Sequence, residues 1–431
     1  MANNFLKNNL AILFGNVFFK IGGYIYKFLM VYLLNNYAYG ILTIISPFQN
    51  ILQTLAAGGL PPTISKYVSE YNATNQKENS YKLILVSIKI AILLGITFGL
   101  LMIFFIAPLL VKIYNNKSLL LPLQIIGLIV PFSAIVGVFR GIFQGTYEMT
   151  HILTSRAIEQ ITMILSAIVL IILGFSVVGA IFGSVICFFS SLISVIIILH
   201  KYFLDVFQGM LKLKMDFKEE IKIAYKIISF SIPVILTAIS EIGIYSMTTT
   251  IMPLFITISE VGYFGIAEPI ARLPLMISNS LATTILPVTS EMFASKNTTI
   301  LKKYMFNALR YNLIIMVPIC LFIMIFSKEV LLVMFFTKPF YSKGANVLTI
   351  LTLGMFFYSI FAITSSMIQG AGKPKSSMYL LIGGFIQILL LSFIFIPYFG
   401  VNGGAISTTL TTATMTLISL IYLNKHISLK F

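Results

Sequence analysis

Apolar runs of roughly 20 residues follow one another along the whole of this chain, and no water-soluble fold can bury them all. Twelve are counted, near 10–34, 41–62, 83–111, 119–144, 153–173, 178–200, 226–252, 262–288, 304–326, 345–369, 379–397 and 401–423. The runs are continuous rather than alternating. That excludes a transmembrane barrel, whose strands are about 10 residues long with a period of two. The expected fold class is an all-α polytopic membrane protein with twelve transmembrane helices. With 58% of the residues hydrophobic and only 10% charged, composition leaves little surface for water.

The formal net charge of +16 would suit nucleic acid, but its distribution gives it another meaning. With the N-terminus inside, only Lys112, Lys117, Lys328, Lys338 and Lys343 fall outside, and Lys20, Lys27 and Arg272 fall within spans. The other basic residues collect on or near the inner side, as cytoplasmic loops do. The chain is therefore expected to be N-in and C-in, and no nucleic-acid partner is expected. The first run is too long for a cleaved signal peptide and is interrupted by lysines, so it is read as helix 1. Cys187 and Cys320 each lie in an apolar run and read as core residues. The three histidines are scattered near helix ends, so no metal site is expected.

Internal repetition organises the spans. Gln144-Gly145 in GIFQGTYEMT aligns with Gln369-Gly370 in SMIQGAGKPK at an offset of 225, and VGAIFGS (178–184) meets GGAISTT (403–409) at the same offset. Earlier, Gly40 aligns with Gly262 and Pro47 with Pro269 at 222, and Ser69-Glu70 falls near Ser290-Glu291 at 221. Six spans per half is an even number, so both halves face the same way and form a parallel repeat. The expected domains are an N-terminal six-helix lobe (1–205), a cytoplasmic amphipathic linker (206–221) and a C-terminal six-helix lobe (222–431). Such a design places a central cavity between the lobes and works by alternating access.

Five ionisable residues stand well inside spans: Lys20, Lys27, Glu241, Glu268 and Arg272. Each costs roughly 2.5–3.5 kcal/mol at a helix centre, so each needs a partner or a wet cavity. Lys20 and Lys27 are two helical turns apart and share a face with Asn16 and Gly23. That polar stripe is expected to line the cavity; for Lys27, snorkelling to the outer surface is the alternative. Arg272 follows Glu268 by four residues, so the two can pair on one helix face. Glu241 has no cation nearby in sequence; it is either a counter-ion or a carrier of a coupling H⁺ or Na⁺. Three cations against two acids make the site mildly positive, which suits an anion such as a phosphate better than a cationic drug. Arg140, at the inner end of span 4, reads as an interfacial anchor.

The stretches KIGGYIYKFLMVYLLNNYAYGILTIISPFQNILQTLAAGGLPPTISKYVSEY, FRGIFQGTYEMT, GYFGIAEPIARLPLMISNSLATTILPVTSEM and SMIQGAGKPKSSMYLLIGG resemble the polysaccharide-transport branch of the multidrug/oligosaccharidyl-lipid/polysaccharide (MOP) exporter superfamily. Within it the likeness is to the stage V sporulation protein B-like group, with the lipid II flippases more distant. The resemblance implies two six-helix lobes in a V around a cavity. It also implies flipping of undecaprenyl-pyrophosphate-linked sugars to the outer leaflet. Basic residues on the first and eighth helices serve the pyrophosphate in that family, which carries over to Lys20, Lys27 and Arg272. Many members have fourteen helices, the last two forming a lipid-facing groove; twelve are counted here.

The leading expectation is a lipid-linked oligosaccharide flippase or exporter, not an enzyme, in the bacterial cytoplasmic membrane. Its partners are then the lipid-linked saccharide, membrane lipids and polysaccharide assembly enzymes. It needs no cofactor, with Na⁺, H⁺ or the membrane potential as the coupling force. The alternative is an H⁺- or Na⁺-coupled drug or metabolite antiporter of the same superfamily. A sugar polymerase or ligase would need catalytic groups on a sizeable loop, which the sequence lacks.

Overall fold

The computed structural model of the chain describes residues 2–57, 59–204, 215–294 and 298–427. The expected spans fall on helices, with spans 2 and 8 each divided between two of them, and among the described residues there is no strand. Hydrocarbon offers no partner for a backbone N–H or C=O, so each crossing segment must satisfy its own. The helices are α1 (Ala2–Leu33), α2 (Asn36–Ala57), α3 (Leu60–Ala73), α4 (Lys77–Leu101), α5 (Leu120–Gly145), α6 (Met149–Leu170), α7 (Ser176–Tyr202) and α8 (Phe217–Ile251). They continue with α9 (Ile258–Arg272), α10 (Leu275–Ala294), α11 (Thr298–Ile325), α12 (Ala345–Gly370) and α13 (Pro374–Ile427).

Two helical stretches are too long for one crossing. Met149–Tyr202 has 54 residues and Pro374–Lys425 has 52, each about 80 Å of helix against a hydrocarbon core of about 30 Å. Left-handed backbone breaks both: Gly174 (φ 94°) and Ser176 (φ 48°) separate α6 from α7, and Gly400 (φ 55°) interrupts α13. Each stretch therefore supplies two spans.

The repeat read from the sequence reappears in the helix boundaries. Asn36 and Ile258, which open α2 and α9, are 222 apart, and Lys77 and Thr298, which open α4 and α11, are 221 apart. α5 and α12 are both 26 residues long, and their starts and ends are 225 apart. Capping repeats as well. Asn35 Oδ1 accepts from Ala38 N at 2.8 Å before α2. Thr257 and Glu260 form a capping box before α9. Both satisfy N–H groups that the first turn leaves open.

Gly145 and Gly370, the glycines of the paired Gln-Gly motifs, are each a point where α5 or α12 passes close to a neighbouring helix. A Cβ at Gly145 would lie 2.9 Å from Val68 Cβ and 3.0 Å from Ser65 O, both on α3. At Gly370 it would lie 2.7 Å from Thr289 Cβ and 2.8 Å from Leu286 O on α10. The contacted positions are themselves 221 apart. Small residues let membrane helices approach closely, because dispersion and not water drives their packing. Gly145→Val and Gly370→Val are therefore each expected to cost about 1–3 kcal/mol, read as a lower thermal midpoint in detergent. Valine at Gly383, where a Cβ meets nothing within 4 Å, is expected to leave the midpoint unchanged.

The chain divides into two compact units, Met1–Ile239 and Ser240–Phe431. The expected linker at 206–221 lies mostly outside the described residues, and Phe217 already opens α8. In the first unit α5 is the central helix, with Ile126, Ile129, Val130 and Phe143 fully buried. The start of α8 is fastened to this unit by charge and by aromatic faces. Lys82 Nζ meets Glu219 and Lys89 Nζ meets Glu220, each at 2.9 Å. Lys226 donates to Tyr71 Oη at 2.9 Å and lies 4.1 Å from the Tyr67 ring centroid. Thr63 and Ser231 hydroxyls are 2.9 Å apart. The helix of span 2 ends within AAGGLPP: α2 stops at Ala57, and a separate helix, α3, starts at Leu60 and runs to Ala73.

In the second unit, α12 packs on the Thr/Ser-rich end of α13. Thr409 and Thr416 each donate to a carbonyl of α12, Ile350 O and Phe357 O, at 2.7 Å. Thr364 and Ser419 hydroxyls are 2.8 Å apart. Cys187 and Cys320 are buried free thiols, one in each unit.

Candidate functional site

The second unit gathers three of the charges singled out in the sequence. α9 stops at Arg272 because Pro274 follows: it has no N–H to give Ile270 O, Leu273 N turns to that carbonyl instead at 3.1 Å, and α10 starts at Leu275. Span 8 is thus a broken helix. Arg272 sits in the last turn of α9, at mid-span, where the carbonyl end of the helix dipole favours a cation. Interrupted helices of this kind mark substrate and ion sites in transporters, because free backbone at that depth persists only beside protein or a wet cavity.

Glu268, one turn earlier, is buried and forms an ion pair with Arg272. A link from α9 to α8 also holds the guanidinium: Arg272 Nη2 donates to Tyr245 O at 2.6 Å, and Cζ lies 4.2 Å from the Tyr245 ring centroid. Tyr245 packs on buried Tyr358 of α12 with centroids 4.9 Å apart. Glu241, one turn before Tyr245 and exposed, acts electrostatically on Tyr358, as does Arg272. Arg272 Nε is buried and has no hydrogen-bond partner among the described residues. A guanidinium so held keeps one aimed donor for an incoming acceptor.

Within this cluster two carboxylates stand against one guanidinium. The cationic excess expected from the sequence therefore rests on Lys20 and Lys27, in the first unit. Both lie on α1, whose packing face is marked by Gly15 and Gly22. A Cβ at Gly15 would strike Leu153, and one at Gly22 would strike Gln160, both on α6. Tyr26, on the same face, donates to Ala180 O at 3.3 Å. Lys20, Gly23 and Lys27 lie about a third of a turn round the helix from that face. Lys20 is exposed, a Cβ at Gly23 would meet nothing within 4 Å, and Lys27 is half-buried with an interaction of its own. The side chain of Asn16 lies outside the described residues.

One half-buried ion pair is not foreseen from the sequence. Arg140 is not a lone anchor. Its Nη2 bonds Glu159 at 2.5 Å and Ser191 Oγ at 3.1 Å, and its Nε bonds Ser155 Oγ at 3.1 Å. Glu159 stands only a turn or two into span 5. The signal available for the pair is that Arg140 and Glu159 lie on consecutive helices joined by one short turn, within reach of a long arginine side chain.

The fold is that of the MOP-superfamily transporters. A solved structure described as the inward-facing conformation of a multidrug resistance MATE family transporter superposes with a TM-score of 0.79, covering 95% of this chain and 94% of that one at 16% identity. The chain belongs to the polysaccharide biosynthesis protein family, whose model matches residues 5–293. A MatE model matches residues 233–394. Among relatives, the uncharacterized membrane protein MJ1375 of Methanocaldococcus jannaschii is 26% identical over 98% of this chain and 99% of its own length. The lipid II flippase MurJ of Bacillus subtilis is 23% identical over 86% of this chain and 74% of its own. The protein is thus a multi-pass membrane protein of the polysaccharide-transport branch.

Proposed function

We propose that the protein is an alternating-access flippase or exporter. It carries an undecaprenyl-pyrophosphate-linked saccharide across the cytoplasmic membrane for assembly into a cell-surface polysaccharide by partner enzymes. The observation that carries this reading is the face of α1 that holds Lys20 and Lys27, with open space at Gly23. An exposed ammonium at Lys20, with a second at half-buried Lys27 two turns along the same helix, is suited to a multivalent anion and repels an organic cation. In this reading Lys20, Lys27 and Arg272 contact the pyrophosphate, Glu268 holds Arg272 in place, and Asn16 adds a polar contact. Na⁺, H⁺ or the membrane potential supplies the drive, and no resident cofactor is needed. The likeness to the lipid II flippase supports the substrate class. A bacterial host fits that relative, while MJ1375 belongs to an archaeon.

The MatE match and the two carboxylates around Arg272 favour a second reading, an H⁺- or Na⁺-coupled antiporter working through Glu241. One experiment separates the two. Purified protein in liposomes is given a fluorescent undecaprenyl-pyrophosphate sugar, and in parallel an organic cation with a pH or Na⁺ gradient. Flipping of the lipid without cation exchange is expected. Exchange of the cation that is lost in Glu241→Gln, with the lipid immobile, hands the function to the antiporter reading.

A further inference from the structure

We propose that a groove on the second unit, near the cytoplasmic ends of α11 and α13, binds one anionic phospholipid of the inner leaflet. The phosphate sits on Arg310 and one acyl chain lies along the groove. This goes beyond the transport reading and does not depend on what is transported.

The groove encloses about 540 Å³ between α11, α12 and α13, within the range of pockets that hold small ligands. Its floor is apolar, formed by Leu309, Leu313, Ile360 and Leu420. Phe306 and Ile421 stand on it 53% and 65% exposed. At membrane depth such exposed side chains face lipid, so the groove opens sideways to the bilayer, where phospholipid is the bulk solvent. Among the described residues, the only polar side chains lining it are Arg310 and Asn424. Charge selects among the lipids. Arg310 is exposed, and it has no ion-pair or hydrogen-bond partner among the described residues. Among the described residues no carboxylate lines the groove, while Lys302, Lys303 and Lys425 occupy the same cytoplasmic ends of α11 and α13. Arg310 is six residues into its span, about 9 Å along the helix, a depth from which a guanidinium reaches the phosphate level. A planar fork of donors that deep needs an anionic acceptor, and the apolar trough beside it fits the attached chain.

The chain contains no tryptophan, so one introduced indole is a clean reporter. Phe306→Trp places it on the groove, and Phe322→Trp places a control on exposed surface further along α11. Each variant is reconstituted with phosphatidylglycerol or phosphatidylcholine brominated on the acyl chain. In Phe306→Trp, half-quenching is expected at about a fivefold lower mole fraction of brominated phosphatidylglycerol than of phosphatidylcholine. In Phe322→Trp the two lipids are expected to quench alike. Adding Arg310→Gln to Phe306→Trp is expected to abolish the preference, and Arg310→Lys to retain part of it. Equal quenching of Phe306→Trp by both lipids, or a preference that survives Arg310→Gln, overturns the proposal. Displacement of the brominated phosphatidylglycerol by stoichiometric undecaprenyl phosphate also overturns it, since the occupant would then be the carrier lipid.

Discussion

In liposomes, Lys20→Ala is expected to flip a fluorescent undecaprenyl-pyrophosphate sugar about 10- to 100-fold more slowly than wild type. The size follows from a charge-assisted hydrogen bond worth about 1.5–3 kcal/mol. Lys20 is expected to matter most, being the exposed cation on the uncovered face of α1. Lys27→Ala follows with a smaller loss, because Lys27 is half-buried and already engaged. Arg272 needs a gentler replacement. Alanine there would leave Glu268 buried and unpaired, confounding transport with stability. Arg272→Lys keeps the charge and removes the planar fork, so an intermediate loss is expected with the melting point preserved. Lys20→Arg, which keeps both charge and donors, should recover most of the rate. Wild-type flipping by the Lys20→Ala/Lys27→Ala double variant, with folding intact, would remove the anion-receiving role from α1.

The Arg140–Glu159 pair carries the largest expected effect on stability. Glu159→Ala should destabilise the protein by about 3 kcal/mol, the low end of the range for a buried pair, because it leaves a half-buried guanidinium with only the hydroxyls of Ser155 and Ser191. Arg140→Ala should cost a similar amount by stranding the carboxylate. Removing both charges at once, as in Arg140→Met/Glu159→Leu, should restore most of the loss, since an apolar pair in the same space leaves nothing unpaired. The measurement is a double-mutant cycle on thermal midpoints in detergent. If the single variants melt as wild type does, the pair is solvated and its role is not structural.

Much of this architecture is legible in the amino-acid order alone. A run of about 20 apolar residues can cross a bilayer only as helix, so run length sets the spans. The Gln-Gly and Gly/Pro matches give offsets at which the helices do begin and end, from Asn36 with Ile258 to Gly145 with Gly370. The Glu268–Arg272 pair is visible as well, because four residues on a helix is one turn. These are local properties, decided by hydrogen bonding along the chain and by the spacing of neighbours on one helix.

What the sequence does not contain is the choice of neighbour. That Arg272 also takes the carbonyl and ring of Tyr245 depends on α9 packing against α8. That Arg140 is consumed by Glu159 depends on α6 packing against α5. The Gln-Gly motif announces a repeat, but only tertiary structure shows its glycine as a point where α5 passes close to α3 and α12 passes close to α10. The groove at Arg310 likewise arises from residues of α11, α12 and α13 that lie far apart in sequence. In a bilayer nearly every helix is apolar on all sides, so periodicity no longer marks which face is buried. Close packing of small residues and pairing of rare polar groups select the partners, and both are realised only when the helices come together.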